Sequence, residues 1–166
     1  GRRESLGHLR GQRHRVDPGD AFAIEPLPQR LAAQQRHHDQ LQIAFARERV
    51  QGKAVGMDKG AKATPIIDHP DIRRMLMTMR ASVEALRAVA YVTSAAMDHA
   101  THDPDPVARK RHQGFVDFMI PIVKGHGTEV AQEVASLGLQ VHGGMGYIEE
   151  TGAAQHVRDA RITTIY

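Results

Sequence analysis

Cysteine and tryptophan are both missing from this 166-residue chain, and aromatic residues make up only 4% of it. The lack of cysteine excludes disulfides, thiolate zinc sites and a cysteine nucleophile. Scarce aromatics argue against an all-β sandwich rich in cross-strand aromatic pairs. Apolar runs are short and broken by Arg, Asp or His, so no transmembrane helix and no membrane partner are expected. Gly1-Arg2-Arg3 is basic, but no apolar stretch follows it, so no signal peptide is expected and the chain reads as cytoplasmic. Neither sign of charge dominates: the formal net charge is +3. The pI of 9.5 does not by itself establish a nucleic-acid partner. What remains is an ordinary globular composition, 41% hydrophobic and 25% charged, with room for one domain.

Residues 1–40 differ from the rest. They carry Arg2, Arg3, Arg10, Arg13, Arg15, Arg30 and Arg36, with His8, His14, His37 and His38, and no lysine. Leu6, Leu9, Val16, Phe22, Ile24 and Leu27 hold no steady period. The segment reads as an irregular arm, with helix possible near Leu31–Gln40. Composition favours a poorly ordered tail, and a basic arm that touches nucleic acid is the alternative. His37 and His38 lack a third ligand at convincing spacing, so no metal is expected there.

From Leu41 the pattern turns helical. Residues 41–51 look like the end of an amphipathic helix closed by Gly52. A polar loop over residues 53–65 leads to Asp68-His69-Pro70, where Asp68 suits an N-cap and Pro70 a first helical turn. The steps between Ile72, Met75, Leu76, Met79, Val83, Leu86, Ala90 and Val92 predict a long helix over about 70–100. After the Thr101–Pro106 break, Phe115, Phe118, Met119, Ile122, Val123, Val130, Val134 and Leu137 predict a second. Pro121 implies a kink or a boundary in it, and Gly138 weakens its end. A last helix should begin at Thr151 or Gly152 and run through Ala160. The expected fold is all-α, an antiparallel four-helix-type bundle with an irregular N-terminal arm.

Candidate binding residues fall into a few groups. Gln140-Val141-His142-Gly143-Gly144-Met145-Gly146 puts bare backbone and an amide side chain in one stretch, which suits an anion. By spacing alone, a helix C-cap and tight turn is the favoured reading. Arg47 and Arg49 either complement a helix dipole or form a fork for a phosphate. His69 is either a ligand contact or an exposed helix-start residue. Arg158-Asp159-Ala160-Arg161 offers an Arg–Asp pair within one turn, which suggests a local solvated salt bridge. Met75, Met77 and Met79 read as core filling.

Several of these stretches, in this order, resemble the C-terminal helical domain of the acyl-CoA dehydrogenases. The resemblance rests on Ala46-Arg47-Glu48-Arg49-Val50-Gln51-Gly52, Ile66-Ile67-Asp68-His69-Pro70-Asp71-Ile72-Arg73-Arg74-Met75-Leu76, Pro121-Ile122-Val123-Lys124 and Thr128-Glu129-Val130-Ala131. Its most specific part is Glu133 through Glu150, followed by Arg158-Asp159-Ala160-Arg161-Ile162 and Ile165-Tyr166. The variant Gly146-Tyr147-Ile148-Glu149-Glu150-Thr151-Gly152 resembles the bacterial branch that includes methylthiopropanoyl-CoA dehydrogenases and long-chain relatives.

The resemblance implies an FAD-dependent enzyme that removes two hydrogens from the α and β carbons of an acyl-CoA and passes electrons to an electron-transfer flavoprotein. It implies a homodimer or homotetramer. It assigns Arg49 to the FAD pyrophosphate, His69 and Pro70 to the adenosine side, and Gln140, Val141, His142, Gly143 and Gly144 to the pyrophosphate and ribose across a dimer interface. It assigns no catalytic residue to this chain, because the family's glutamate base would follow Tyr166. The chain is therefore expected to be an inactive fragment: residues 41–166 a truncated bundle, and residues 1–40 a non-native or out-of-frame segment. An acyl-CoA oxidase-like or nitroalkane oxidase-like flavoprotein of the same fold is one alternative. A non-enzymatic helical module with a nucleic-acid-binding arm is another, although nucleic acid is not the expected partner.

Overall fold

A computed structural model of the chain describes residues 40–165. The expectations for the N-terminal arm, including His37, His38 and the helix near Leu31, lie outside the described residues.

The first helical segment, α1 (residues 40–48), turns Gln42 and Ala46 inward. Residues 49–65 then cross to a single 3-10 turn at Ile66–Asp68. The long helix α2 (Pro70–His102) follows. Its N-cap is His69 rather than the expected Asp68, and no side chain caps it. Asp68 is taken up in the 3-10 turn instead. Proline at the first position explains this shift, because it presets a helical φ and pushes the residue before it to extended backbone. The buried residues Met75, Leu76, Met79, Val83, Leu86, Ala90, Thr93 and Ala96 make one three- and four-step stripe along α2. Met77 breaks the expected methionine cluster: it is 72% exposed, because a residue two positions from Met75 and Met79 points to another face.

Asp103 leaves the helix with extended backbone, as the residue before Pro104 should. Asp105 then caps α3 (Pro106–His142), its carboxylate accepting from the Val107 N–H at 2.9 Å. α2 and α3 therefore form an antiparallel hairpin. Pro121 does not divide α3. Its ring removes one N–H, and the partner carbonyl, that of Asp117, belongs to an exposed residue where water can satisfy it. Gly138 does not end the helix either: it is buried within it, and the chain leaves at Gly143 with φ +60° and ψ −139°.

The short α4 (Gly144–Tyr147) and a 3-10 turn at Glu149–Thr151 lead to α5 (Ala153–Ile165), longer than expected at its C-terminal end. Gly152 makes the intervening turn with φ +72°. α5 packs against α3. No strand occurs among the described residues beyond an isolated bridge between Val50 and Pro65. The all-α expectation holds.

The core sits where α1, the Ile66 turn, the first half of α2 and the last third of α3 converge. Ala46, Ile66, Met75, Leu76, Met79, Val83, Val130, Val134 and Val141 form it, with Phe45, Ile67, Ile72 and Leu137 at its margin.

Candidate functional site

α1 delivers Arg49 to the surface just past its last turn, where the Arg49 N–H still bonds the Phe45 carbonyl at 2.9 Å. From there the backbone is tied down on its other side. Ile66 N–H donates to the Arg49 carbonyl at 2.8 Å, Gln51 N–H to Thr64 at 3.0 Å and Thr64 N–H to Gly52 at 2.9 Å. Ile66 is itself buried in the core. The Arg49 backbone is thus anchored through one hydrogen bond to the hydrophobic centre, while its side chain stays exposed. The one side-chain contact resolved for Arg49, to Gln51 Oε1 at 3.5 Å, sits at the outer limit of a hydrogen bond. Among the described residues, no other side-chain partner of the guanidinium is resolved.

His69 completes the strap. Its Nε2 lies 2.8 Å from the Gln51 carbonyl. A carbonyl only accepts, so Nε2 carries the proton. The ring also stands over Gly52, whose φ is +67° and where a Cβ would meet His69 Cε1 at 3.7 Å. His69 therefore organises the segment that carries Arg49. Pro70, beside it, is exposed and edges a shallow hollow with Arg73, Arg74, Met77 and Thr78.

The second half of the site is the C-terminal end of α3. Val141 is 3% exposed and belongs to the core. His142 accepts no outward role for its Nδ1, which lies 3.1 Å from the Gly138 carbonyl and must donate to it. Its ring stacks on Phe45, with centroids 3.9 Å apart and planes at 24°. That stack joins the two halves, because Phe45 precedes Arg49 by one turn and His142 precedes Gly143 directly. Gln140 is exposed on the same turn.

The glycines of this bend are not equivalent. Gly143 is required by its positive φ. Gly146 is required by packing, since a Cβ there would fall 2.4 Å from the Leu139 carbonyl oxygen. Gly144 has neither reason: its φ is ordinary, it is exposed, and nothing lies within 4 Å of where its Cβ would be. The bare backbone at Gly144 suits close approach by a group from outside the chain. The outward-facing side chains nearby, Arg49 and Gln140, offer hydrogen-bond donors, and Arg49 adds a positive charge. Donors, an exposed cation and uncovered backbone fit a phosphate-bearing ligand better than a cationic or apolar one.

The loop below the bend is held by its own contacts. Thr151 Oγ1 donates to the Met145 carbonyl at 2.8 Å. Arg158 forks onto Glu149 at 3.1 and 2.7 Å. The expected Arg158–Asp159 pair is replaced by this longer-range one, and Asp159 takes Gln155 Nε2 at 2.6 Å. Neighbouring residues on a helix point about 100° apart and do not face each other, which is why the adjacent pair does not form.

The family of acyl-CoA dehydrogenase C-terminal domains matches residues 31–166, over three quarters of the chain. The chain belongs to that family. A 3-methylmercaptopropionyl-CoA dehydrogenase of Ruegeria pomeroyi is 54% identical over 125 residues, covering 75% of this chain and 21% of the relative. A broad-specificity linear acyl-CoA dehydrogenase of Mycobacterium tuberculosis, FadE5, is 37% identical over 127 residues, with the same coverage. Among solved structures, butyryl-CoA dehydrogenase from Megasphaera elsdenii superposes with a TM-score of 0.60 at 26% identity, over 84% of this chain and 30% of that one. The chain spans about a fifth of the length of these curated relatives. Acyl-CoA dehydrogenase domains of this family are parts of flavoprotein oxidoreductases. Among the described residues no helix is long and apolar enough to cross a membrane.

The residues that sequence reasoning missed are the connectors. Phe45 and Gln51 join His142 and His69 to the Arg49 segment. Phe45 falls one turn before Arg49, the single trace of its role in the sequence.

Proposed function

We propose that this chain is the cofactor-gripping helical part of an FAD-dependent acyl-CoA dehydrogenase. Arg49 forks onto the FAD pyrophosphate held by a second protomer, and Gly143 and Gly144 admit the same group against bare backbone. Gln140 supplies an amide to the pyrophosphate or ribose. Pro70 flanks the adenosine side, and His69 acts by holding Gln51 and therefore Arg49. Val141 and His142 contribute through position: one seats the bend in the core, the other stacks it against Phe45. The observation that carries this reading is the Phe45–His142 stack, which joins the segment that carries the Arg49 cation to the uncovered glycine bend at one end of the bundle.

FAD when bound supplies the two-electron redox chemistry. In the whole enzyme the reaction is α,β-dehydrogenation of an acyl-CoA, with electrons leaving to an electron-transfer flavoprotein. The proton from the α carbon goes to a carboxylate, and none of the described residues is offered for that step. Glu149 is engaged by Arg158, Glu150 is exposed, and the buried polar residues are Gln42, Thr93 and Thr128. The chain alone is accordingly assigned binding without turnover, and the working unit is a homodimer or homotetramer.

Flavin fluorescence tests this reading directly. FAD and ADP should compete for the purified chain, while riboflavin, which lacks the diphosphate, should not bind. Equal binding of riboflavin and FAD, or turnover of an acyl-CoA by the chain alone, overturns it.

A further inference from the structure

The far end of the α2–α3 hairpin gathers a second set of chemically active side chains. His99 and Asp103 lie one helical turn apart on α2 and at its C-cap, and His112 faces them from α3. One ligand atom from each lies within 4.8 Å of the others. His99 Nδ1 stands 3.6 Å from Asp103 Oδ2. The two imidazoles stack with centroids 4.9 Å apart and planes at 22°.

Asp103 is fixed from several sides. Its N–H donates to the His99 carbonyl at 3.1 Å. Its carbonyl accepts from Arg109 at 2.6 Å. Its Oδ1 accepts from the Asp105 N–H at 3.0 Å, which makes the Asx turn that starts α3. Oδ2 is left facing His99, and the side chain is only 22% exposed. This is an oriented carboxylate beside two nitrogen donors. His99 and His112 also border a surface hollow with Val92, Ala95, Ala96, Arg111 and Phe115.

We propose that His99, Asp103 and His112 bind a divalent first-row transition ion of the zinc, cobalt and nickel class. Two imidazoles and one carboxylate suit such an ion, whereas magnesium and calcium take all-oxygen sets. Tetrahedral coordination at about 2.0–2.1 Å requires ligand atoms about 3.4 Å apart. The His99–Asp103 pair, at 3.6 Å, already stands close to that distance. His99, 60% exposed, and half-buried His112 close the remainder by side-chain rotation. The hydrogen bonds at Asp103 serve as its outer-shell support. The ion joins the end of α2 to the second turn of α3, and water fills the fourth position. Arg111, on the same hollow, lowers the affinity through its charge without occupying a ligand position.

The test is titration of the full 166-residue chain with cobalt(II), read by visible d–d absorption, followed by zinc competition and thermal denaturation. One equivalent of cobalt should give a tetrahedral-type spectrum that zinc abolishes, and zinc should raise Tm. His112→Gln and Asp103→Asn should each weaken binding by about tenfold or more. Asp103→Asn keeps an oxygen for the Asp105 N–H, so the turn survives and lost binding is not lost folding. Arg111→Gln should tighten binding. A double His37→Gln, His38→Gln variant should bind as the parent does. Unchanged affinity in Asp103→Asn or His112→Gln, or loss confined to the His37/His38 variant, overturns the proposal.

Discussion

The two ends of the bundle are built on opposite plans. At the end that carries Arg49, α1, the Ile66 turn, α2 and α3 close over Met79 and Val83, both fully buried. There the surface groups are positioned from below: the Arg49 carbonyl is bonded to a buried residue, and the glycine bend begins two residues after buried Val141. At the hairpin end, α2 and α3 meet with far less cover. Tyr91, Val92, Phe115 and Phe118 are 53, 57, 40 and 65% exposed. Polar chemistry at that end comes from the turn itself, through Asp103, Asp105 and the two stacked histidines. A precisely placed ligand group needs a packed layer beneath it, and the fold provides that layer at one end.

Substitutions that probe this contrast should rank accordingly. Met79→Ala hollows the centre of the packed end and should cost about 2–5 kcal/mol, read as a lower denaturant midpoint. A loss under about 1 kcal/mol would mean that the two ends are not packed differently. Gly146→Ala drives a methyl group against the Leu139 carbonyl, a backbone atom that cannot rotate away. It should cost about 1–3 kcal/mol. Gly144→Ala, with open space around it, should leave stability nearly unchanged while weakening FAD binding. His69→Ala removes the bond to Gln51 and should cost about 1 kcal/mol in thermal unfolding, with weaker FAD binding because Arg49 loses its strap. Phe118→Ser at the open end should change stability by no more than about 0.5 kcal/mol and reduce self-association in light scattering. A large loss of stability there would show that the exposed face is already covered within one chain.

Much of the scaffold was legible in the chain. α2 follows from an apolar stripe whose buried members recur at three- and four-residue steps, and Pro106 after Asp105 marks where α3 starts. In the first half of α3 the expected stripe is wrong: Phe115, Phe118 and Ile122 are exposed, and Val116 and Val123 are the buried residues there. Local rules went astray where a neighbouring residue outweighed them. Pro70 moved the N-cap from Asp68 to His69, and of the kink or boundary expected at Pro121 the boundary does not occur. Of the candidate site, the sequence indicated the glycine bend and Arg49, but not what joins them. The His69–Gln51 bond and the Phe45–His142 stack are tertiary contacts between residues far apart in the chain, and no periodicity encodes them. The same holds for Gly143, Gly144 and Gly146, alike as letters and separated only by backbone angle and surrounding space.

The most direct test is FAD affinity of Arg49→Gln against the parent chain, measured by flavin fluorescence with circular dichroism as a control on folding. Loss of a charge-assisted contact to the diphosphate should weaken binding by about tenfold or more while the helical spectrum stays the same. Equal affinity in the two proteins would show that the guanidinium at this end of the bundle does not hold the dinucleotide.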